Sequence, residues 1–320
     1  MGCDVTRAGK YSFTVFTPTY NRRHTLPAVF ESLLAQTYRD FEWLIVDDGS
    51  MDGTEDLVAS WKARAWFPIR YLYQKNSGKH IAMNVAAREA CGDLFLTLDS
   101  DDTCVPEALA RLKHHWDAIP DAQRMRFSAV TALYVDEGGQ VVGDRFPKDV
   151  LDSDSLELCY RYKVRGEKWG FQRTDVLRQF PFPSVPGVSF VPEGLIWNAI
   201  ARCYKTRYIN EGLRVYHSRY QGHELRLTEG PPKQSSAMGM AIWHAGILND
   251  EIEWFWHAPL KFFKSAVHYV RFSQLAGPGA WKEQRTVRTV AARFLTWLAW
   301  PVGWLVYVLD RQRIRANDAH

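Results

Sequence analysis

Four short apolar runs, each ending in a polar turn and each followed by a helical pattern, fill the first hundred residues and restrict the chain to an α/β fold. Tyr11–Thr17 (YSFTVFT) is aromatic and β-branched and stops at Pro18, as a strand does. Thr25 is placed to cap a helix running to about Ala35, with Leu26, Phe30, Leu33 and Leu34 on one face. Phe41–Val46 (FEWLIV) is long enough for a strand and too short for a helix, and it ends in Asp47-Asp48-Gly49-Ser50. Thr54 is placed to cap a second helix, to about Arg64. Ile69–Tyr73 reads as a third strand, Gly78–Ala90 as a third helix and Leu94–Leu98 as a fourth strand. That strand ends in Asp99-Ser100-Asp101-Asp102, and a helix is expected from about Pro106. Crossovers of this length join parallel strands, and parallel sheets bind ligands beyond the carboxyl ends of their strands. Three polar clusters at three such ends, beginning at Thr17, Asp47 and Asp99, predict a shared pocket.

Each cluster has a plain reading and a chemical one. Three carboxylates in Asp99-Ser100-Asp101-Asp102 repel one another unless a cation intervenes, and hard oxygen ligands suit Mg²⁺ or Mn²⁺ with phosphates completing the shell. The plain reading is a solvated turn before the next helix. Asp47 and Asp48 can accept hydrogen bonds from a base or ribose, or simply form an Asp-Gly turn. Asn76-Ser77-Gly78-Lys79-His80 opens a helix whose free N–H groups, with Lys79, can meet phosphate. It lacks the GxxxxGK[ST] spacing of a P-loop, which excludes a simple ATPase.

Taken together, Val15–Leu57 (VFTPTYNRRHTLPAVFESLLAQTYRDFEWLIVDDGSMDGTEDL), Gly78–Asp102 (GKHIAMNVAAREACGDLFLTLDSDD) and the following Pro-Glu resemble the family 2 glycosyltransferases in order and spacing. The resemblance is strong over residues 11–115 and weaker over 116–225. It implies a GT-A fold, Rossmann-like with a mostly parallel central sheet and flanking helices, and an inverting, metal-dependent transfer from a nucleotide-sugar. Thr17, Pro18 and Tyr20 then line the nucleotide, and Asp48, with Asp47 beside it, binds the donor base, typically uracil. Lys79 approaches the base or diphosphate. Asp99 and Asp101 match the DxD pair, Asp99 toward the ribose and Asp101 on Mn²⁺ or Mg²⁺, with Asp102 nearby as a further metal candidate. The family's general base lies about ninety residues further on, which selects Glu193 in FVPEGLIW. A helix-start glutamate favoured by the dipole is the plain alternative. Many members carry Asp there, in a Glu-Asp pair where this chain has Glu193-Gly194. The chain lacks the QxxRW-type sequence of processive synthases, so addition of a single sugar is expected.

Other residues carry weaker signals. His217 and His223 sit in a stretch that could close over a diphosphate or add a metal ligand, with solvated loop histidines the default. Trp169 could stack on a sugar, with core packing the default. His114-His115 reads as a helix face, not a metal site.

Composition separates a second region. The chain of 320 residues carries a net charge of +4, yet residues 261–320 hold ten Lys/Arg against three Asp/Glu, +7, leaving −3 for the rest. Seven of the thirteen tryptophans follow residue 240, so the C-terminal part is basic and aromatic. Glu253–Gln274 reads as an amphipathic helix with Lys261, Lys264, His268 and Arg271 as a basic stripe and Trp256, Phe263, Val267 and Val270 opposite. Phe294–Leu309 is a nearly apolar run of sixteen residues, flanked by Arg293 and by Arg311, Arg313 and Arg315. With Pro301 and Gly303 inside, it is shorter than the roughly twenty residues of a bilayer span and better suited to a membrane surface. A helical lid or an oligomer interface is the plain alternative.

The expected organisation is therefore a catalytic domain over 1–230, with a nucleotide half (11–115) and an acceptor half (116–230), and a helical membrane-surface extension over 231–320. The expected partners are a nucleotide-sugar, a saccharide acceptor on a lipid carrier and a membrane surface, with no nucleic acid, since no such motif accompanies the basic patch. Five scattered cysteines without a CxxC pair favour a reducing compartment, and no charged-then-apolar leader opens the chain. A cytoplasmic protein peripheral on the inner face of the cytoplasmic membrane is expected. Two rivals are a sugar-1-phosphate nucleotidyltransferase, opposed by the absence of glycine in Thr17–Asn21, and a catalytically silent carbohydrate-binding scaffold.

Overall fold

A computed structural model describes residues 9–217, 234–277 and 286–318. The chain begins with β1 (Tyr11–Thr19), α1 (Leu26–Leu34), β2 (Phe41–Asp47), α2 (Thr54–Trp61), β3 (Ile69–Tyr73), α3 (Lys79–Glu89) and β4 (Gly92–Thr97). It continues with β5 (Thr103–Cys104), α4 (Ala108–Asp117), α5 (Asp121–Arg124), β6 (Phe127–Asp136), β7 (Val141–Val142), β8 (Val150–Ser153) and α6 (Ser155–Tyr160). Then come β9 (Lys168–Arg173), α7 (Thr174–Leu177), α8 (Gly194–Ala201) and β10 (Lys205–Tyr216). The helices α9 (Gln234–Asp250), α10 (Pro259–Ala276) and α11 (Val290–Asp318) complete the described chain, with a 3₁₀ turn at Ile252–His257.

The four expected strands and three expected helices of the first hundred residues are all present, but their caps differ. The Thr25 hydroxyl donates to the Arg22 carbonyl at 3.2 Å instead of receiving an amide of α1. Gly53 (φ 79°), not Thr54, occupies the cap of α2. Asp52 accepts from the Thr54 amide (3.2 Å) and hydroxyl (2.6 Å), so the carboxylate does the capping that threonine was expected to do.

The strands form one mixed sheet in the order β3-β2-β1-β4-β9-β6-β10-β5, with β7 on β6 and β8 on β10. The first four strands are parallel. Beyond β4 the sheet becomes mixed. β9 runs antiparallel to both β4 and β6, and β10 is parallel to β6 but antiparallel to β5 and β8. At residues 136–140 Asp136 closes a tight hairpin between β6 and β7 by accepting from the Gly138 (2.9 Å) and Gln140 (2.8 Å) amides, and a hairpin joins antiparallel strands.

β2 is buried along its whole length, which explains its unbroken apolar run. Phe30 of α1 stacks on Trp61 (4.6 Å between ring centroids) and on Trp43 (6.0 Å). Such aromatic pairs contribute about 0.5–1.5 kcal/mol each beyond the area they bury. Glu42, the one charge in β2's FEWLIV segment, is fully buried and accepts from the Thr14 hydroxyl and the Cys91 amide, both at 2.7 Å, and from Arg70 at 3.3 Å. Trp169 is core, its indole donating to the Thr97 carbonyl at 2.6 Å.

The chain divides into two compact units. The first comprises Met1–Pro181 with Asn198–Glu224, the second Phe182–Trp197 with Leu225–His320. Residues 182–197 therefore pack with the C-terminal helices, not with the sheet whose sequence they interrupt.

In the second unit, Ala237, Ala241 and Ile242 of α9 bury against Phe272 and Ala276 of α10, with Val185 and Leu195 packed on the cluster. The expected basic stripe on α10 is only half exposed. Lys261 and Lys264 face solvent, whereas His268 stacks on His244 (5.3 Å) and Arg271 pairs with buried Asp310 of α11 at 2.5 Å. Of the residues expected opposite, Val267 and Val270 are buried but Trp256 and Phe263 are not. The sixteen-residue apolar run is the middle of a 29-residue helix, and Pro301 lies inside that helix without ending it.

Candidate functional site

The carboxyl ends of β1, β2 and β4 are neighbours in the sheet, so the three predicted clusters meet there. β1 and β2 are bound past their ends: the Asp48 amide donates to the Thr19 carbonyl at 2.8 Å. Asn21 (φ 53°) extends the link, its amide donating to the Ser50 hydroxyl (2.8 Å) and its Oδ1 accepting from the Met51 amide (3.0 Å).

The predicted nucleotide residues divide into buried supports and exposed groups. The Thr17 side chain is buried, and its hydroxyl accepts from the Trp43 indole at 2.9 Å. Pro18 is partly exposed, and Tyr20 is 48% exposed at the mouth of the first loop. Asp47 is fully buried and holds its own turn. It accepts from the Gly49 (3.1 Å) and Ser50 (2.7 Å) amides and from the Tyr71 hydroxyl (2.5 Å). Burial and that carboxylate push the Tyr71 phenol well above its ordinary pKa.

Asp48 reaches across to the loop before α3. Its carboxylate accepts from Gln74 Nε2 (2.7 Å) and from the Ser77 and Gly78 amides (both 2.8 Å). Gly78 has φ 94°, a conformation that favours glycine, and this turns its N–H toward Asp48. The second cluster thus fixes the start of α3, and with it Lys79.

Lys79 Nζ lies 2.7 Å from Asp99 Oδ1, and Arg214 Nη2 lies 2.7 Å from Asp99 Oδ2. Arg214 also binds Asp102, with Nε 2.8 Å from Oδ2. Its guanidinium is 4% exposed and lies over the Tyr134 ring at 4.6 Å. Burial works to raise the Asp99 pKa, but Lys79 and Arg214 outweigh it and hold that carboxyl well below the ordinary range. Asp102 goes the other way, to about 6, because burial and the neighbouring Asp99 and Asp101 charges exceed the pull of Arg214. The cation that three clustered acids require is thus supplied in part by the protein itself.

Arg214 escaped the sequence reading. It lies 112 residues from Asp102 and reaches it only because β10 pairs antiparallel with β5, Arg214 opposite Cys104. The available signal was the unbalanced charge of Asp99-Ser100-Asp101-Asp102 and an arginine inside a strand-like run.

Among the described residues, no three His, Cys, Asp or Glu side chains are close enough to hold a metal by themselves. Asp101 makes no hydrogen bond or ion pair among those residues and is partly exposed, so its hard oxygens are available. The residues therefore fit Mg²⁺ or Mn²⁺ bound by one or two carboxylates, with phosphate and water completing the shell.

Glu193 belongs to the second unit. Its carbonyl accepts from the Ile196 (2.9 Å) and Trp197 (3.1 Å) amides, so it sits at the start of α8 as expected. The loop leading to it lies directly on α9. A Cβ added at Gly239 would stand 1.7 Å from the Phe190 carbonyl oxygen, and one at Gly194 would stand 3.3 Å from the Trp243 indole nitrogen. Gly239 is therefore required for that close approach. His217 bridges Thr103 (2.8 Å from Nε2) and Glu137 (2.9 Å from Nδ1) in the first unit. His223 lies outside the described residues. His115 is bound to Glu211 at 2.7 Å on the α4 surface, as a helix-face residue.

Residues 14–148 match the profile of Glycosyl transferase family 2. An uncharacterized glycosyltransferase of Nostoc sp. is 35% identical over 99 residues, 31% of each chain. An undecaprenyl-phosphate 4-deoxy-4-formamido-L-arabinose transferase of Serratia proteamaculans is 36% identical over 103 residues, 31% of this chain and 32% of that one. The shared segment thus spans about a third of these relatives. Among solved structures, S. aureus TarS 1-349 in complex with UDP has a TM-score of 0.63 at 16% identity, covering 96% of this chain and 92% of that one. The mannosyltransferase PcManGT of Pyrobaculum calidifontis, in complex with GDP-Man and Mn²⁺, has a TM-score of 0.51 at 18% identity, covering 96% and 90%. The chain has a GT-A fold, and its residues 14–148 are similar to glycosyl transferase family 2.

Proposed function

We propose that this protein transfers a single sugar, with inversion, from a UDP-sugar to a saccharide carried on a lipid at the inner face of the cytoplasmic membrane. The observation that carries this reading is the meeting of Asp48, Lys79, Asp99 and Asp101 at neighbouring strand ends, with Asp101 available to a cation. The UDP complex of the structural neighbour and the undecaprenyl-phosphate relative support the donor and the lipid carrier.

Asp48 holds the loop that meets the base, and Tyr20 offers an exposed ring beside it. Asp99 orients Lys79 and is itself kept ionised by Lys79 and Arg214. Asp101, with Asp99 or Asp102, would hold Mn²⁺ or Mg²⁺, which when bound neutralises charge growing on the leaving diphosphate. Glu193 takes a proton from the acceptor hydroxyl. The oxygen then bonds to the anomeric carbon on the face opposite the diphosphate, whose bond to that carbon breaks. Lys79 meets the departing charge.

The test is Mn²⁺-dependent nucleotide release from UDP-, GDP- and dTDP-sugars, with membrane extract as acceptor. Release from one donor is expected, reduced at least 100-fold by Asp101→Ala and by Glu193→Gln. Full activity in Glu193→Gln removes that residue as the base. No release from any donor, extract present, sinks the transferase reading.

A further inference from the structure

The helical unit carries an apolar surface that its own core leaves uncovered. Helix α11 buries one stripe, Ala292, Leu295, Ala299 and Gly303, against the unit. Gly303 fits so closely that an added Cβ would stand 2.6 Å from Val270 Cβ on α10. The opposite face points outward and is apolar for about three turns: Phe294 (60% exposed), Trp297 (69%), Trp304 (40%) and Leu305 (58%), with Pro301 among them. No charged residue occurs from 294 to 309, and arginines stand at 293, 311, 313 and 315.

The direction of α11 limits what can cover this face. At its start, the Arg288 amide donates to Asn249 Oδ1 (2.7 Å), and Asn249 Nδ2 donates to the Thr286 carbonyl (2.9 Å). α11 therefore begins near the end of α9, where α10 also begins, and Gly303 and Asp310 meet Val270 and Arg271 further along. α10 and α11 run side by side in the same direction. α11 is long and apolar enough to cross a bilayer by composition alone. Crossing would take its companion α10 to the same depth, with exposed Lys261 and Lys264 on it. Charged side chains in hydrocarbon are costly, whereas a helix pair lying flat sinks one apolar face and leaves its lysines at headgroup level. Tryptophans on the sunken face and arginines at both its ends match an interface rich in anionic lipid.

We propose that α10 and α11 form an in-plane platform on anionic bilayers, inserted through the Phe294–Leu305 face without crossing. This deepens the membrane reading of the proposed function and rests on it. The test uses the full chain with vesicles of phosphatidylcholine alone or with one quarter phosphatidylglycerol, measured by flotation. Binding to the anionic vesicles is expected at least tenfold above the neutral ones, released by alkaline carbonate. Trp297→Glu/Leu305→Glu changes only exposed residues and should reduce binding at least tenfold with an unchanged melting temperature. Arg311→Glu/Arg313→Glu should abolish the preference for anionic vesicles. Retention after carbonate shows a crossing helix and overturns the proposal. Absence of vesicle binding, with a discrete dimer in lipid-free sedimentation, assigns the face to a second copy and overturns it too. Nucleotide release with membrane extract present is assayed in parallel: its absence with vesicle binding intact defeats the transferase reading and leaves the platform standing.

Discussion

Removing the Arg214 guanidinium would leave Asp99 and Asp102 side by side with only Lys79 to balance them. Breaking a buried ion pair from one side costs about 3–5 kcal/mol, because the remaining charge stays desolvated. Arg214→Gln is therefore expected to lower unfolding stability by about 3 kcal/mol in urea titration. Asp102→Asn added to it should recover part of that loss, since Asp102 is the acid that burial already pushes up to about 6. Strict additivity of the two changes would mean that Arg214 acts elsewhere. The acids of this cluster were legible because they interrupt apolar runs at strand ends. Their counter-charge was not, because an arginine in RYINEGLRVY looks like an outward residue of any half-exposed strand. Asp47 and Asp48 were legible as a pair, but their division of labour was not. Which of two adjacent carboxylates holds its own turn and which reaches another loop depends on Tyr71 and Gly78, far away in the chain.

Periodicity identifies which residues of a helix share a face, not what that face meets. Lys261, Lys264, His268 and Arg271 are on one side of α10 by spacing, yet the first two meet solvent and the last two meet α9 and α11. The burial has a consequence for pH. His244 of α9 is 5% exposed and hydrogen-bonded through Nδ1 to Ser265 (2.8 Å). It faces His268, Arg271 and Lys264, and burial together with these positive neighbours pulls its pKa down to about 3. An unfolded chain takes up this proton below about pH 6.5, whereas the folded one resists until about 3. The stability due to neutral His244 is thus intact above about 6.5 and is lost as pH falls toward 3. The slope approaches about 1.4 kcal/mol per pH unit for one proton. His244→Phe, which keeps a ring beside Phe272, is expected to flatten the wild-type fall in urea midpoint between pH 6.5 and 4.5. Equal slopes for the two proteins would show that His244 titrates normally.

Across the whole molecule, chain order and packing disagree at one place. Reading along the sequence puts residues 182–197 inside the catalytic domain and starts a second region near 231. In the folded chain they belong with the C-terminal helices, where Val185 and Leu195 join the core of α9 and α10. The local sequence, rich in proline and glycine, marks a loop but carries no record of which core will receive its few apolar side chains. The two units therefore divide the proposed chemistry: nucleotide and metal residues in the first, Glu193 in the second. A chain shortened to residues 1–224 keeps the parallel strands, Asp48, Lys79, Asp99, Asp101 and Arg214, with the core around Phe13, Trp43 and Phe171. It loses α9, the surface on which the Glu193 loop rests through Gly239. Such a chain is expected to bind UDP with Mn²⁺ within about tenfold of the full protein by calorimetry, and to transfer sugar at least 100-fold more slowly. Transfer at the full rate would place the base within the first unit. Loss of UDP binding would show that nucleotide binding requires the helical unit.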